Sequence, residues 1–200
     1  SVALLGLGCG TLVHLYNKYW RSHDLKLEGW ELDEEVVKAS REFLGLRDLE
    51  DNGLLVHIGD ALGPDVYPRM GLSNSGTSAF TDVRADEKFD ALVIDLFGDG
   101  KLIKQLDDPE TWASLRSRVK PDGKIFANLG EESAGKLPLA AMLEGCGGTL
   151  SICKLANVPT TVSSNVLAIS SPESVTAGGR WNGVVPAGLE ELTRAPWQDA

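Results

Sequence analysis

Residues 2–10, VALLGLGCG, constrain this chain more than any other stretch: an apolar run of strand length breaks into glycines at Gly6, Gly8 and Gly10. A strand ending this way feeds a tight turn whose bare backbone can approach a ligand closely, and the segment from Thr11 has helical character. The pattern is a nucleotide-binding opening, although glycine-rich strand-to-helix turns also serve as plain connectors. A second strand, residues 25–31 (LKLEGWE), ends in Glu31 about 20 residues past the last glycine, where a carboxylate can accept both hydroxyls of a ribose. Glu31 is therefore the first candidate ligand residue. A charge at a helix entrance is its other reading, but Asp33 suits that role better, as the cap of a helix over 34–44 with Glu34 and Glu35 in its first turn and Gly45 as its stop. Val36, Val37, Ser40, Phe43 and Leu44 recur there at three-to-four spacing, which predicts one face buried against a sheet. The unit reads as βαβ.

A chain of 200 residues with 42% hydrophobic content suits one globular domain with a sizeable core. The formal charge of -10 argues against nucleic acid, since no basic stripe is present to meet a phosphate backbone. A small basic substrate such as a polyamine is electrostatically welcome instead. Cys9, Cys146 and Cys153 are an odd set without metal-ligand spacing, and His14, His23 and His57 lie near none of them in sequence, so reduced structural thiols and no metal site are expected. No apolar run reaches the roughly 18 residues of a membrane span, and no signal-peptide pattern is present, so no membrane partner is expected. The expected setting is that of a soluble intracellular protein, cytoplasmic by default. The chain opens at Ser1 directly in the first strand without a Met, as a fragment or processed form does, which leaves a targeting sequence ahead of Ser1 open.

Further along, strand and helix signals alternate without internal repeats. Residues 54–58 read as a third strand closed by Gly59 and Asp60. Residues 64–88 carry Pro, Ser, Asn, Gly and charge with little periodicity, so a long loop or insertion is expected, with 71–82 mobile. Residues 89–95, FDALVID, form the nearly continuous apolar run of a doubly covered parallel strand, ending in a carboxylate. Asp108 and Pro109 open a helix with Trp112, Leu115 and Val119 on one face. Pro121, Asp122 and Gly123 then turn into a strand over 124–129. A helix over 136–144 precedes two strands, 149–156 and 165–170, joined by a short stretch containing Pro159, and such neighbours pair antiparallel. The expected fold is a doubly wound α/β domain over 1–171: a mostly parallel seven-stranded sheet with a C-terminal antiparallel hairpin. That ending distinguishes the S-adenosylmethionine-binding fold from the usual dinucleotide-binding one. Residues 172–200 are expected to form an irregular tail.

Taken in order, GLGCG, GWELDEEVVKASREFLGL, VHIGDAL, FDALVIDLFGDG and PDGKIFANL resemble the catalytic domain of spermidine-synthase-like proteins, within the Rossmann-like class I methyltransferase superfamily. The resemblance runs over residues 2–129. It implies S-adenosylmethionine or its decarboxylated form as cofactor. Gly6, Gly8 and Gly10, with Leu7, would line the amino-acid or aminopropyl arm; Glu31, with Leu32, would hold the ribose; Asp60 and Ala61 would border the adenine. Asp95 would face the reacting centre as the catalytic residue, and a homodimer is the assembly implied. Physical chemistry is consistent with these roles: a strand-end carboxylate at Asp60 can accept from an exocyclic adenine amine, or simply cap a turn. Asp95, at the carboxyl edge of the sheet where ligands of open α/β folds bind, can orient an attacking amine or take its proton, or again act as a cap. Leu96 and Phe97 can wall a donor pocket or sit in the core.

The sequence also departs from the aminopropyltransferases. They resemble one another in a D-S-S-D motif at this strand end, where Asp95 is here followed by Leu96, Phe97 and Gly98, with Asp99 one position past the second carboxylate. Their amino-terminal β-domain has no counterpart in this chain. Methyl transfer to an unidentified small-molecule acceptor is the leading expectation. Aminopropyl transfer to a diamine and a non-catalytic binding module on the same fold stay open beside it. A nicotinamide dehydrogenase fits poorly, because Thr11 stands where the dinucleotide fingerprint places its third glycine.

Overall fold

The opening strand β1 (Val2–Leu5) runs into the glycine turn and helix α1 (Thr11–Trp20), followed by β2 (Leu27–Glu31), α2 (Glu34–Phe43), α3 (Leu46–Asp51) and β3 (Leu55–Ile58). These elements belong to a computed structural model that describes residues 1–20, 25–64, 66, 88–131, 135–154, 165–172 and 197–199. Beyond them come β4 (Phe89–Ile94), a hairpin of β5 (Phe97–Gly98) and β6 (Lys101–Leu102), α4 (Pro109–Ser117), β7 (Val119–Glu131), α5 (Leu139–Cys146), β8 (Thr149–Lys154), β9 (Asn165–Ser171) and β10 (Trp197–Asp199). The chain divides into two compact units, Ser1–Val93 with Arg118–Gly123, and Ile94–Ser117 with Lys124–Ala200. The main sheet has the strand order β10-β8-β9-β7-β4-β1-β2-β3. Pairing is parallel at β1·β2 and β2·β3 and antiparallel at β7·β9, β8·β9 and β10·β8. The expected α/β sheet with its C-terminal antiparallel hairpin is what the chain forms.

In the first unit, Leu4, Leu7, Val13, Leu27, Val37, Leu46, Leu49 and Leu54 pack into one cluster from β1, the glycine turn, all three helices, β2 and the residue leading into β3. Each such side chain contributes about 1.5–3 kcal/mol relative to exposure. Helix α2 starts as its sequence predicts: Asp33 Oδ1 accepts from the Glu35 amide at 2.8 Å, with Glu34 and Glu35 in the first turn. Its buried face is narrower than the spacing predicts. Val37 and Ser40 are buried, but Phe43 is 72% exposed and Leu44 49% exposed. The helix stops there, Gly45 takes a left-handed φ of 73°, and the new helix α3 sends Leu46 and Leu49 into the core instead. A six-residue helix carries too few turns to display a period.

Three other boundaries move. Strand β7 takes in Pro121, Asp122 and Gly123, which the sequence reads as a turn, and it starts at Val119, which therefore leaves the helix face assigned to it. Gly123 permits this: a Cβ there would lie 2.4 Å from Val119 Cγ1 and 2.6 Å from the Asp90 carbonyl. Helix α5 is shifted from the expected 136–144 to Leu139–Cys146, because Pro138 stands at its cap, accepting through its carbonyl from the Met142 amide. Residues 197–199, expected in an irregular tail, form β10 and add an eighth strand, in register from Trp197↔Cys153 to Asp199↔Ser151. The segment expected to be mobile, 71–82, and the connection containing Pro159 lie outside the described residues.

In the second unit, α4 and α5 pack against each other at close quarters. A Cβ on Gly145 would lie 2.2 Å from the Pro109 carbonyl and 2.6 Å from Trp112 Cβ. The β5–β6 hairpin turns through Asp99 (φ 51°) and Gly100 (φ 71°), the pair of positive angles that a two-residue type I′ turn requires.

Candidate functional site

The glycine turn is tied to the end of β2 at several points. The amides of Gly6 and Leu7 both donate to the Trp30 carbonyl, at 3.0 and 2.8 Å, and the Gly10 amide closes the turn onto the Leu7 carbonyl at 3.0 Å. Trp30 is itself well held: its ring stacks on His57 with centroids 4.3 Å apart and meets the Phe89 ring edge to face. His57 Nε2 lies 3.0 Å from the carboxylate of Glu28, which is fully buried. Gly10 and Gly8 have opposite surroundings. Gly10 faces inward, where a Cβ would press on Leu49 and Leu46 at 3.1 and 3.2 Å, whereas a Cβ on Gly8 would meet nothing within 4 Å. Gly8 thus presents bare main chain to open space.

Glu31 is half-buried beside this loop, and its carboxylate already has two partners. Oε2 accepts from the Gly8 amide at 2.8 Å and Oε1 from the Asp33 amide at 3.1 Å. These are charge-assisted bonds to main chain, which brace the loop against β2. An ionised carboxylate offers about four lone-pair sites, so two remain for hydroxyl donors. Leu32 follows, 72% exposed. Leu7, by contrast, turns its side chain down into the core over Gly29, where a Cβ would come within 2.7 Å of Leu7 Cδ1. Its amide donates to the Trp30 carbonyl and its carbonyl accepts from the Gly10 amide, so Leu7 shapes the turn from within.

The end of β3 arrives at the same edge. Glu31 pairs in register with Ile58, and the Gly59 amide donates to the Glu31 carbonyl at 2.9 Å, which brings Asp60 and Ala61 into the neighbourhood of Glu31. Asp60 is exposed and Ala61 buried. Asp60 Oδ1 accepts from the Leu62 amide at 2.8 Å. Under this loop sits Arg118, only 3% exposed, which donates from Nη1 to the Ala61 carbonyl at 3.2 Å and from Nη2 to the Leu62 carbonyl at 3.0 Å. Sequence reading missed Arg118, whose only signal is a basic residue directly before the apolar start of a strand.

Asp95 belongs to the second unit. It is exposed just past β4, and its Oδ1 accepts from Asn128 Nδ2 at 2.9 Å. Asn128 cannot turn freely, since its Oδ1 accepts from the Gly130 amide at 3.1 Å and from Asn165 Nδ2 at 3.0 Å. The Phe97 ring lies against Gly130, whose Cβ position is 3.1 Å from Phe97 Cε1. Asn128 and Asn165 were also missed; the available signal was a carboxamide inside the apolar run KIFANL, since a half-buried polar group needs a partner.

All three cysteines are free thiols, Cys9 exposed and Cys146 and Cys153 buried. Burial pushes the Cys146 thiol up to about 11 and raises that of Cys153. Near neutral pH, an aromatic disulfide reagent is expected to modify one thiol per folded chain, at Cys9, and all three after unfolding. Peptide mapping of the modified protein checks this, and rapid labelling of either buried thiol would contradict it. Among the described residues no His, Cys, Asp and Glu cluster able to hold a metal ion is found, and no helix is long and apolar enough to cross a membrane.

No protein-family model and no curated protein sequence matches the chain. Its likeness is to solved structures. A spermidine synthase in complex with the transition-state analogue AdoDATO is 18% identical, the match covering 96% of this chain and 64% of that one with a TM-score of 0.61. The spermidine synthase from Thermotoga maritima is 15% identical over 96% of this chain and 63% of that one, with a TM-score of 0.59. Human methyltransferase-like protein 13 in complex with SAH is 14% identical over 96% and 78%, with a TM-score of 0.61. The chain spans less than two thirds of the length of these two spermidine synthases. The chain thus has the class I methyltransferase α/β fold.

Proposed function

We propose that the chain is an S-adenosylmethionine-dependent transferase that moves a methyl group to a small-molecule acceptor. The observation that carries this reading is the braced loop: Glu31 fixes the Gly8 amide at 2.8 Å while Gly8 faces open space. In this reading the ribose hydroxyls use the free lone pairs of Glu31, and the methionine arm lies along the main chain of Gly6, Gly8 and Gly10. The base sits between Leu32 and the Asp60–Ala61 turn, with Asp60 accepting from its exocyclic amine. The bound sulfonium supplies an electrophilic carbon and a neutral thioether leaving group. Asp95 orients the acceptor and takes the proton it loses as its lone pair forms the new bond. The SAH bound to human methyltransferase-like protein 13 supports the choice of ligand.

A second reading, aminopropyl transfer from the decarboxylated donor to a diamine, draws on the likeness to the spermidine synthases, one of them solved with AdoDATO. Calorimetric titration with S-adenosylmethionine, its decarboxylated form and the thioether product separates the two. Much tighter binding of the decarboxylated donor would favour aminopropyl transfer, and silence toward all three would favour a binding module. Glu31→Ala is expected to weaken binding of the thioether by about 1–3 kcal/mol, as befits lost charge-assisted hydrogen bonds. Unchanged affinity would place the ribose elsewhere.

A further inference from the structure

Arg118 is a buried cation, and two of its hydrogen bonds go to main-chain carbonyls of one loop, those of Ala61 and Leu62, from 57 and 56 residues away in sequence. A forked guanidinium suits such a pair of acceptors, whereas an ammonium is a single point of charge. What this does to the loop follows from peptide geometry. The described residues contain no cis peptide bonds, and in a planar trans unit the carbonyl and the following N–H point in opposite directions. Holding the Ala61 carbonyl inward therefore directs the Leu62 N–H outward. That N–H is the donor to Asp60 Oδ1 at 2.8 Å. The Gly63 amide, donating to the Asp60 carbonyl at 3.0 Å, closes the same turn.

We propose that Arg118 is the positioning residue that sets the base preference of the site: by holding the Ala61 and Leu62 carbonyls it aims the Leu62 N–H at Asp60. One oxygen of Asp60 is thereby engaged, and the carboxylate is oriented so that the other accepts from the exocyclic amine of a purine. A 6-amino purine matches that acceptor. A 6-oxo purine sets oxygen against it and is rejected. Arg118 touches no ligand; it acts through the peptide plane between Ala61 and Leu62. This inference rests on the proposed adenosyl site and adds to it the origin of its discrimination.

The test compares S-adenosylhomocysteine with S-inosylhomocysteine, whose base carries oxygen in place of the amine. In the parent protein the adenosyl form is expected to bind about tenfold tighter or more, the loss that follows a missing charge-assisted hydrogen bond. Arg118→Lys, which keeps the charge and gives up the fork, is expected to bring the ratio close to one, and so is Asp60→Ala at its exposed position. The double variant is expected to be no worse than Asp60→Ala alone, because both changes remove one interaction. A lysine variant that keeps the parent ratio, that weakens both ligands equally, or whose effect adds to that of Asp60→Ala overturns the role of Arg118. A parent protein that binds neither ligand overturns the adenosyl site itself, so the two failures are distinguishable. Hydrogen exchange in the parent protein stands independently of how the variants fold. The Leu62 amide is expected to be protected before any ligand is added, and exchange at the rate of unstructured chain would overturn the preset orientation.

Discussion

Asp95→Asn is expected to bind S-adenosylmethionine as tightly as the parent protein while transferring its methyl group about 10²-fold more slowly or worse. The substitution is mild in shape. Asn128 Nδ2 now donates to Asp95 Oδ1 at 2.9 Å, and the carbonyl oxygen of a new carboxamide can accept the same hydrogen. Asn128 has no freedom to reorganise around it, because the Gly130 amide and Asn165 both hold its own oxygen. What disappears is the negative charge, and with it the ability to take a proton from an acceptor. Donor affinity by calorimetry and transfer of labelled methyl groups to a panel of amines, hydroxyls and thiols provide the two readings. Equal transfer rates would remove Asp95 from the chemistry, and a matching loss of donor affinity would move it to donor binding.

Trp112→Ala is expected to cost about 3–5 kcal/mol of stability, the range for truncating a buried large aromatic side chain. Trp112 is fully buried in the second unit, and its indole Nε1 donates to the Leu106 carbonyl at 2.7 Å. The change therefore opens a cavity and orphans a buried acceptor together. Relaxation into the space is restricted, since α5 already approaches α4 closely enough that Gly145 has no room for a methyl group. With domain stabilities of about 5–15 kcal/mol, such a loss leaves the variant near its unfolding threshold. Urea denaturation followed by circular dichroism measures it, and a loss under about 1 kcal/mol would mean the helices repack.

The sequence makes the opening βαβ unit plain because three signals agree there: an apolar run, a glycine turn with a helix behind it, and an acid at the next strand end. Asp33 is legible for a similar reason, since capping is a local act and its partner is two residues away. Phe43 and Leu44 mislead because a period cannot announce where a helix stops, and α3 is too short to correct the reading. Arg118 and Asn128 are harder still. Arg118 meets Ala61 and Asn128 meets Asp95 across 57 and 33 positions, and nothing in their immediate neighbours encodes those meetings. The same holds for β10, whose three residues become a strand only because β8 offers an edge. Glu31, Asp60 and Asp95 were visible as strand-end acids, but which amides they engage is a tertiary fact.

Because position 29 carries no side chain, Leu7 can sink toward the sheet, and the altitude of the glycine turn above the strands is set from underneath. A single methyl group there would work as a shim: it would lift the floor of the loop, tilt Gly8 relative to Glu31, and retune what the loop can grasp from a spot no ligand reaches.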